Sequence, residues 1–216
     1  MPAPGHAGGA TLISRSRGIP MADMELSPTA REALLEIAHR AISDFVAYRH
    51  IGAAHPDDPQ LNQRAGAFVT LMRQGELRGC IGHTQADMPL WQVVQQMAIS
   101  AAENDPRFYP LTPDELDDLE IEISVLSPLK RIKSIEEIEV GRHGLMITKG
   151  YQRGLLLPQV PTEHGWDRGT FLEAICEKAG LPPGSWMRGA TLETFTALVF
   201  GKHFGSRTHA HQVAHT

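Results

Sequence analysis

The segment from Leu119 to Val125 alternates strictly between apolar and polar side chains, which is typical of a β-strand with one buried face. Helical patterns lie between this segment and two predicted hairpins, each turning near a glycine. The hairpins pair residues 67–72 with 76–81 and residues 144–149 with 153–157. Because the strands arrive as hairpins separated by helices, and not as strand–helix–strand repeats, we predict an α+β fold with a largely antiparallel sheet.

Capping residues locate the predicted helices. Ser27 and Pro28 begin a first helix whose apolar stripe continues to Val46. A second helix over residues 90–102 is predicted with Asp87 as its cap. The other predicted elements are a loop over 50–64, a short helix after the capping box Thr112–Glu115, a third helix capped by Asp167 and one closing strand over 191–200.

Composition indicates an ordinary globular protein and argues against several classes. The 216 residues are 42% hydrophobic and 21% charged, enough for one large domain or two lobes. A net charge of −5 argues against nucleic-acid binding. Two cysteines are too few for a disulfide framework and no apolar run could span a membrane, so we expect a cytoplasmic protein without membrane association. We expect a disordered leader over 1–21, one domain over 22–205 and a disordered histidine-rich tail over 206–216.

The most unusual stretch of the chain is Leu77-Arg78-Gly79-Cys80-Ile81-Gly82. Its glycines, Gly79 and Gly82, flank a thiol and would allow a sharp bend or the close approach of a ligand. In an ideal strand Arg78 and Cys80 face the same side, which places a positive charge where it favours the nucleophilic thiolate. The alternative, a small buried cysteine in a tight strand, has about equal weight at this point.

Further candidates lie at three places downstream. In the turn Asp105-Pro106-Arg107-Phe108, Arg107 is either a ligand for a carboxylate or phosphate or half of an internal bridge with Asp105, and we favour the bridge. Glu122 and Ser124 share the polar face of their strand, so Glu122 is a candidate base or part of a solvated face. Gln159 follows a proline and is presented from a fixed backbone as a candidate binding residue.

Motifs for metals and common cofactors are missing from the sequence. The histidines do not have HExxH spacing, no GxGxxG follows a strand, and there is no Walker A lysine. We therefore predict neither a metal site nor a cofactor. His83 and His143 are left as candidate general bases for Cys80.

Several short motifs occur together in a characteristic order. They are Phe68-Val69-Thr70-Leu71, the segment 77–82, Ala101-Ala102, Asp105-Pro106-Arg107-Phe108, Ile123-Ser124-Val125-Leu126-Ser127, Gly144-Leu145, Leu156-Leu157-Pro158-Gln159-Val160, Gly165-Trp166-Asp167 and Cys176-Glu177-Lys178-Ala179-Gly180-Leu181. In order and spacing they resemble the AMMECR family, whose bacterial and archaeal members are called AmmeMemoRadiSam system protein A. The resemblance extends over about residues 26–201.

The resemblance implies two unequal lobes with a cleft between them and the Cys80 segment toward that cleft. The larger lobe is expected at about 22–65 plus 126–205, and the smaller inserted lobe at about 66–125. It also implies association with a Memo-type protein and a radical S-adenosylmethionine (SAM) enzyme, and leaves the reaction of the family unsettled.

Three functions compete at this point. The first is an enzyme with Cys80 as nucleophile and Arg78 holding an anionic group of a small-molecule or modified-nucleotide substrate. The second is a non-catalytic adaptor that presents a substrate to its partners through the shaped backbone of residues 78–82. The third, an RNA- or nucleotide-binding module, is disfavoured by the acidic charge and the low aromatic content of 6%.

Overall fold

The computed structural model describes residues 25–205 and has an α+β fold with two antiparallel four-stranded sheets. The predicted leader (1–21), the histidine-rich tail (206–216) and positions 22–24 of the expected domain lie outside these residues. The helices are α1 (Pro28–Tyr48), α2 (Pro59–Asn62), α3 (Leu90–Glu103), α4 (Gln159–Glu163) and α5 (Arg168–Lys178). The strands are β1 (Ala67–Arg73), β2 (Glu76–His83), β3 (Leu119–Leu126), β4 (Lys130–Arg131), β5 (Gly144–Lys149), β6 (Gln152–Leu156), β7 (Thr191–Phe195) and β8 (Ala197–Phe204). Short 3₁₀ helices cover Pro113–Asp118, Ile135–Glu137 and Ser185–Met187.

The first sheet has the strand order β2-β1-β3-β8 and is covered on one face by helices. The predicted alternation in β3 decides which face this is, because Leu119, Ile121, Ile123 and Val125 are all buried in one core with α1 and α3. The even-numbered residues of β3 therefore lie on the opposite face. That face, which we call the polar face, carries Glu120, Glu122 and Ser124.

The second sheet has the order β4-β7-β5-β6 and packs against α5. Its core contains Leu145, Ile147 and the α5 residues Phe171 and Ile175. Asp167 caps α5 as predicted, accepting a hydrogen bond from the Thr170 amide at 2.8 Å. Ser27 likewise caps α1, accepting from the Ala30 amide at 3.1 Å.

Three local predictions are corrected. Residues 50–64 contain the short helix α2, capped by Asp58, in place of an uninterrupted loop. Asp87 does not cap α3; Pro89 precedes that helix, and the Asp87 carboxylate contacts His83 at 2.7 Å. The predicted closing strand is two strands, β7 in the second sheet and β8 in the first, because the chain crosses between sheets at Thr196.

The crossing at Thr196 is held by hydrogen bonds with Ser127, which lies in the segment that leaves the first sheet after β3. The Ser127 amide donates to the Thr196 carbonyl, and the Thr196 amide donates to Ser127 Oγ, both at 2.9 Å. Residues between about 127 and 196 thus form a unit with its own sheet and core, inserted between β3 and β8.

This grouping differs from the expected lobes. Residues 66–125 share one sheet with residues 197–204 and one core with α1, so the chain from α1 to β3 together with β8 forms the larger unit. The reason is that the apolar stripe of α1 is buried against strands that follow it in sequence. Throughout residues 25–205, no helix is both long and apolar enough to cross a bilayer.

Candidate functional site

Cys80 lies in β2, which is an edge strand with β1 on one side only. The backbone amide of Cys80 points away from β1 and donates to Asp105 Oδ2 at 2.8 Å. Arg107 Nη2 lies 3.5 Å from the Cys80 carbonyl oxygen. The turn after α3 therefore occupies the hydrogen-bonding edge of β2, a position that otherwise invites pairing with another chain.

Asp105 and Arg107 form the internal bridge that the sequence favoured. Arg107 donates to both carboxylate oxygens, from Nε at 3.0 Å and from Nη2 at 2.7 Å, and its own amide donates at 3.1 Å. The Asp105 side chain is 2% exposed. The guanidinium of Arg107 and the amides of Cys80 and Arg107 hold the pKa of Asp105 well below its usual range, against the opposing effect of burial.

Arg78 does not lie on a regular strand position beside Cys80. A register shift pairs Leu71 with Gly79 but Met72 with Leu77, so Arg78 is the extra residue of a β-bulge. Its guanidinium donates to Glu115, from Nε at 2.7 Å and from Nη2 at 2.9 Å, and to the Tyr109 carbonyl at 3.0 Å. The prediction that Arg78 stands beside the thiol is therefore corrected, and Arg107 is the arginine that approaches Cys80.

Glu115 holds the Arg78 side chain from the 3₁₀ helix before β3. The bond from Arg78, with further bonds from Thr112, lowers the pKa of Glu115 to about 2. Its stabilising effect is thus present above its ordinary pKa of 4.5 and is lost as the pH falls toward 2. Sequence reasoning identified Glu115 only as a capping-box residue, since nothing local indicates a partner 37 positions away.

Both glycines of the segment have packing reasons. A side-chain carbon at Gly79 would lie 2.2 Å from the Ala101 carbonyl oxygen of α3, so only glycine allows this helix to approach the strand. At Gly82 a side-chain carbon would lie 2.1 Å from the ring of Phe68. These contacts account for the glycines without a bound ligand.

Cys80 itself lies on the polar face and is partly buried. The register places it opposite Thr70 of β1, and Thr70 is in turn opposite Glu122 of β3. Thr70 Oγ1 donates to Cys80 Sγ at 3.3 Å. We call Cys80, Thr70 and Glu122 the polar row; sequence reasoning missed Thr70, although its strand position identifies it once the hairpin register is known.

Glu122 supplies the carboxyl group of the polar row, and its surroundings favour the neutral form of that group. Burial raises its pKa, and the negative charges of Glu120 and Glu163 raise it further. Glu163 ends α4, so the inserted unit approaches the polar face at this point. Gln159 begins the same helix, and Ser124 lies deeper on the face at 2% exposure.

The remaining candidates lie apart from the polar row. His83 contacts Asp87, and His143 Nδ1 accepts from the Glu139 amide at 3.1 Å in the inserted unit. Neither histidine is brought to Cys80 as a general base. Among residues 25–205 no cluster of three or more histidine, cysteine or acidic side chains is arranged to hold a metal ion.

We expect the variant Glu122→Gln to be more stable than the parent at neutral pH and equal to it near pH 4. A carboxyl with a raised folded-state pKa favours folding below its unfolded-state value, here 4.5, and this advantage is lost as the pH rises through the folded-state pKa. The side-chain amide of glutamine stays uncharged at every pH, so the variant keeps this stability at neutral pH. Thermal unfolding between pH 4 and 8 measures the difference, and Glu76→Gln, an exposed glutamate of β2, is the matched control. A constant difference across this pH range would contradict the prediction.

Comparison with known proteins places this arrangement in a family. The family model AMMECR1 matches residues 35–200. The chain belongs to the AMMECR1 family. Protein TK0174 of Thermococcus kodakarensis is 43% identical over 185 residues, covering 80% of this chain and 90% of that protein. Protein MK0488 of Methanopyrus kandleri is 41% identical over 179 residues, covering 78% and 86%.

A solved structure supports the same conclusion for the fold. The crystal structure of the uncharacterised protein PH0010 from Pyrococcus horikoshii matches with a TM-score of 0.75 and 40% sequence identity, covering 80% of this chain and 91% of that chain. The family resemblance and the α+β fold expected from the sequence are thus confirmed.

Proposed function

We propose that this AMMECR1-family protein is a thiol enzyme whose reaction takes place on the polar row, acting as the A component beside a Memo-type protein and a radical SAM enzyme. The partners are motivated by the family resemblance. The reaction is carried by one observation, the hydrogen bond from Thr70 to Cys80 Sγ on a face that also holds Glu122.

The chemistry of the row suits group transfer. A hydrogen bond donated to sulfur favours the thiolate, and the thiolate is the nucleophilic form. The backbones of Glu122 and Cys80 are two strands apart, roughly 10 Å at the usual strand spacing of about 4.8 Å. A small molecule or modified nucleotide lying across the row therefore reaches both side chains. The sulfur forms a bond to an electrophilic carbon, the bond to the leaving group breaks, and the leaving group departs with the proton of Glu122.

The thiol is tested by alkylation. We expect iodoacetamide to label Cys80 of the native protein at pH 7, while Cys176, which is fully buried in the second core, stays unlabelled until unfolding. Thr70→Val removes the hydrogen bond to sulfur, and a charge-assisted bond is worth about 1.5–3 kcal/mol, so labelling of Cys80 should slow by at least about tenfold. Intact-mass spectrometry gives both rates. Equal labelling rates of Cys80 in Thr70→Val and in the parent would contradict the proposal that Thr70 activates the thiol.

An adaptor role is the second candidate. It is favoured by the ion pairs that Arg78 and Arg107 form with carboxylates of the same chain. Arg78 and Arg107 are each bound to a carboxylate of the chain, which makes the β2 edge a rigid surface. In cells that lack the gene, rescue of the three-component system by Cys80→Ser would exclude the thiol enzyme. Loss of partner capture in Arg78→Ala, with capture retained in Cys80→Ser, would favour the adaptor.

A further inference from the structure

A groove of about 300 Å³ lies where the two sheets meet, beyond the end of the polar row. Its walls come from the entry to β1, the segment after β2, the linker after β3 and strand β6. The residues that define it here are Arg64, Gly66, Thr84, Ser127, Leu129 and Arg153. Both units contribute to one cavity, whose volume is at the lower end of the range for small-molecule sites, about 300–1,000 Å³.

The charge of the groove is one-sided. In the described part of the chain, its charged lining residues are Arg64 and Arg153, with no aspartate or glutamate among them. Within residues 25–205, neither arginine forms an ion pair with a carboxylate, in contrast to Arg78 and Arg107. Two arginines without a carboxylate at ion-pair distance therefore line one groove, and the Asp87 carboxylate is close enough for the charge of Arg64 to act on it.

Each arginine is nevertheless held in position. Arg64 Nη1 donates to the backbone carbonyl of Asp87 at 2.5 Å, while the nearby Asp87 carboxylate contacts His83. Arg153 Nε donates to Met146 Sδ at 2.8 Å, and a thioether is a weak, uncharged acceptor. These bonds orient the side chains and leave their positive charges available, the arrangement in which arginine binds oxyanions.

The rest of the lining suits the organic part of a small molecule. Leu126, Pro128 and Leu129 supply apolar surface beside the hydroxyl of Thr84. The entry to β1 lies close against the segment after β2, since a side-chain carbon at Gly66 would lie 2.7 Å from the His83 carbonyl oxygen.

We propose that this groove binds the phosphate or carboxylate group of a small organic molecule, with Arg64 of the larger unit and Arg153 of the inserted unit holding its oxygens. The site is separate from the polar row, since Thr84 follows Cys80 by four residues, roughly 13 Å along an extended strand. It does not depend on any reaction at Cys80. A ligand held by both units joins them and stabilises the folded protein.

The site is tested by nuclear magnetic resonance titration of the ¹⁵N-labelled full chain with inorganic phosphate and, separately, with succinate. We expect saturable shifts confined to the lining residues, and at least tenfold weaker binding in Arg64→Gln and in Arg153→Gln. Arg188→Gln, an exposed arginine outside the groove, should bind like the parent. Saturation by phosphate alone identifies a phosphate-bearing ligand, and saturation by succinate alone identifies a carboxylate.

Three results would overturn the proposal: no saturable binding of either anion, shifts spread over the surface, or equal weakening by Arg188→Gln. Leu129→Trp keeps both arginines and fills the cavity, so it tests the site even where an arginine variant fails to fold. Binding should be lost in Leu129→Trp while its circular dichroism stays that of the parent. Undiminished binding in a folded Leu129→Trp would equally overturn the proposal.

Discussion

Asp105→Asn is expected to lower the free energy of unfolding by about 3 kcal/mol, the effect of leaving buried donors without their charged acceptor. The Asp105 carboxylate accepts from the amides of Cys80 and Arg107 and from the Arg107 guanidinium. In asparagine an NH₂ group replaces one of the two oxygens, so donor faces donor at that position. Urea denaturation followed by circular dichroism at pH 7 measures the loss.

A double-mutant cycle separates the bridge from the other contacts of Asp105. Arg107→Gln alone leaves a buried carboxylate without its cation, whereas Asp105→Asn/Arg107→Gln removes both charges, so the double variant should lose less than the sum of the singles. Glu139→Gln breaks the exposed pair with Arg142 and is the matched control, with an expected change within about 0.5 kcal/mol. Additive losses at 105 and 107 would show that the two side chains do not act together.

The local elements of this fold could be predicted because their signals lie within a few residues. The caps Ser27 and Asp167 bind amides three positions ahead, and these contacts need no knowledge of the rest of the chain. The alternation in β3 likewise identifies its buried face in isolation. The sequence therefore sufficed for the class of the fold.

The division into units could not be predicted in the same way. Residues 191–200 have the pattern of one strand, and the change of sheet at Thr196 depends on hydrogen bonds exchanged with Ser127, 69 positions earlier. Nothing in the period of the strand marks that crossing. The expected lobe boundaries differ from the structure for the same reason, since sheet membership is decided by distant pairing.

The candidate site shows the same limit. The ideal alternation that paired Arg78 with Cys80 is broken by a bulge, and the bulge depends on the register between β1 and β2. Thr70 and Glu163 carry no motif and become relevant only through their position beside Cys80 and Glu122. Motifs located the right strand, and the register decided which side chains act together.

Gly79→Ala is expected to be the most damaging single-carbon substitution in this segment. The added carbon would lie 2.2 Å from the Ala101 carbonyl oxygen, which is inside any real contact distance, and 3.1 Å from the carbonyl carbon, which is a tight contact. Because both sides of the contact are buried backbone, α3 and β2 must separate, and overpacking of this kind costs about 3 kcal/mol or more. For a chain of this size we expect the midpoint of thermal unfolding to fall by roughly 6–12 °C.

Two further variants decide whether the backbone contact is the cause. Gly79→Ala/Ala101→Gly should be no more stable than Gly79→Ala, because shortening the Ala101 side chain does not move its carbonyl oxygen. Gly169→Ala, where the nearest contact is an ordinary 3.5 Å to Asp167, should be neutral or slightly stabilising, since alanine favours a helix over glycine. Recovery of stability in the double variant would assign the strain to the Ala101 side chain and contradict the close approach of α3 to the strand that carries Cys80.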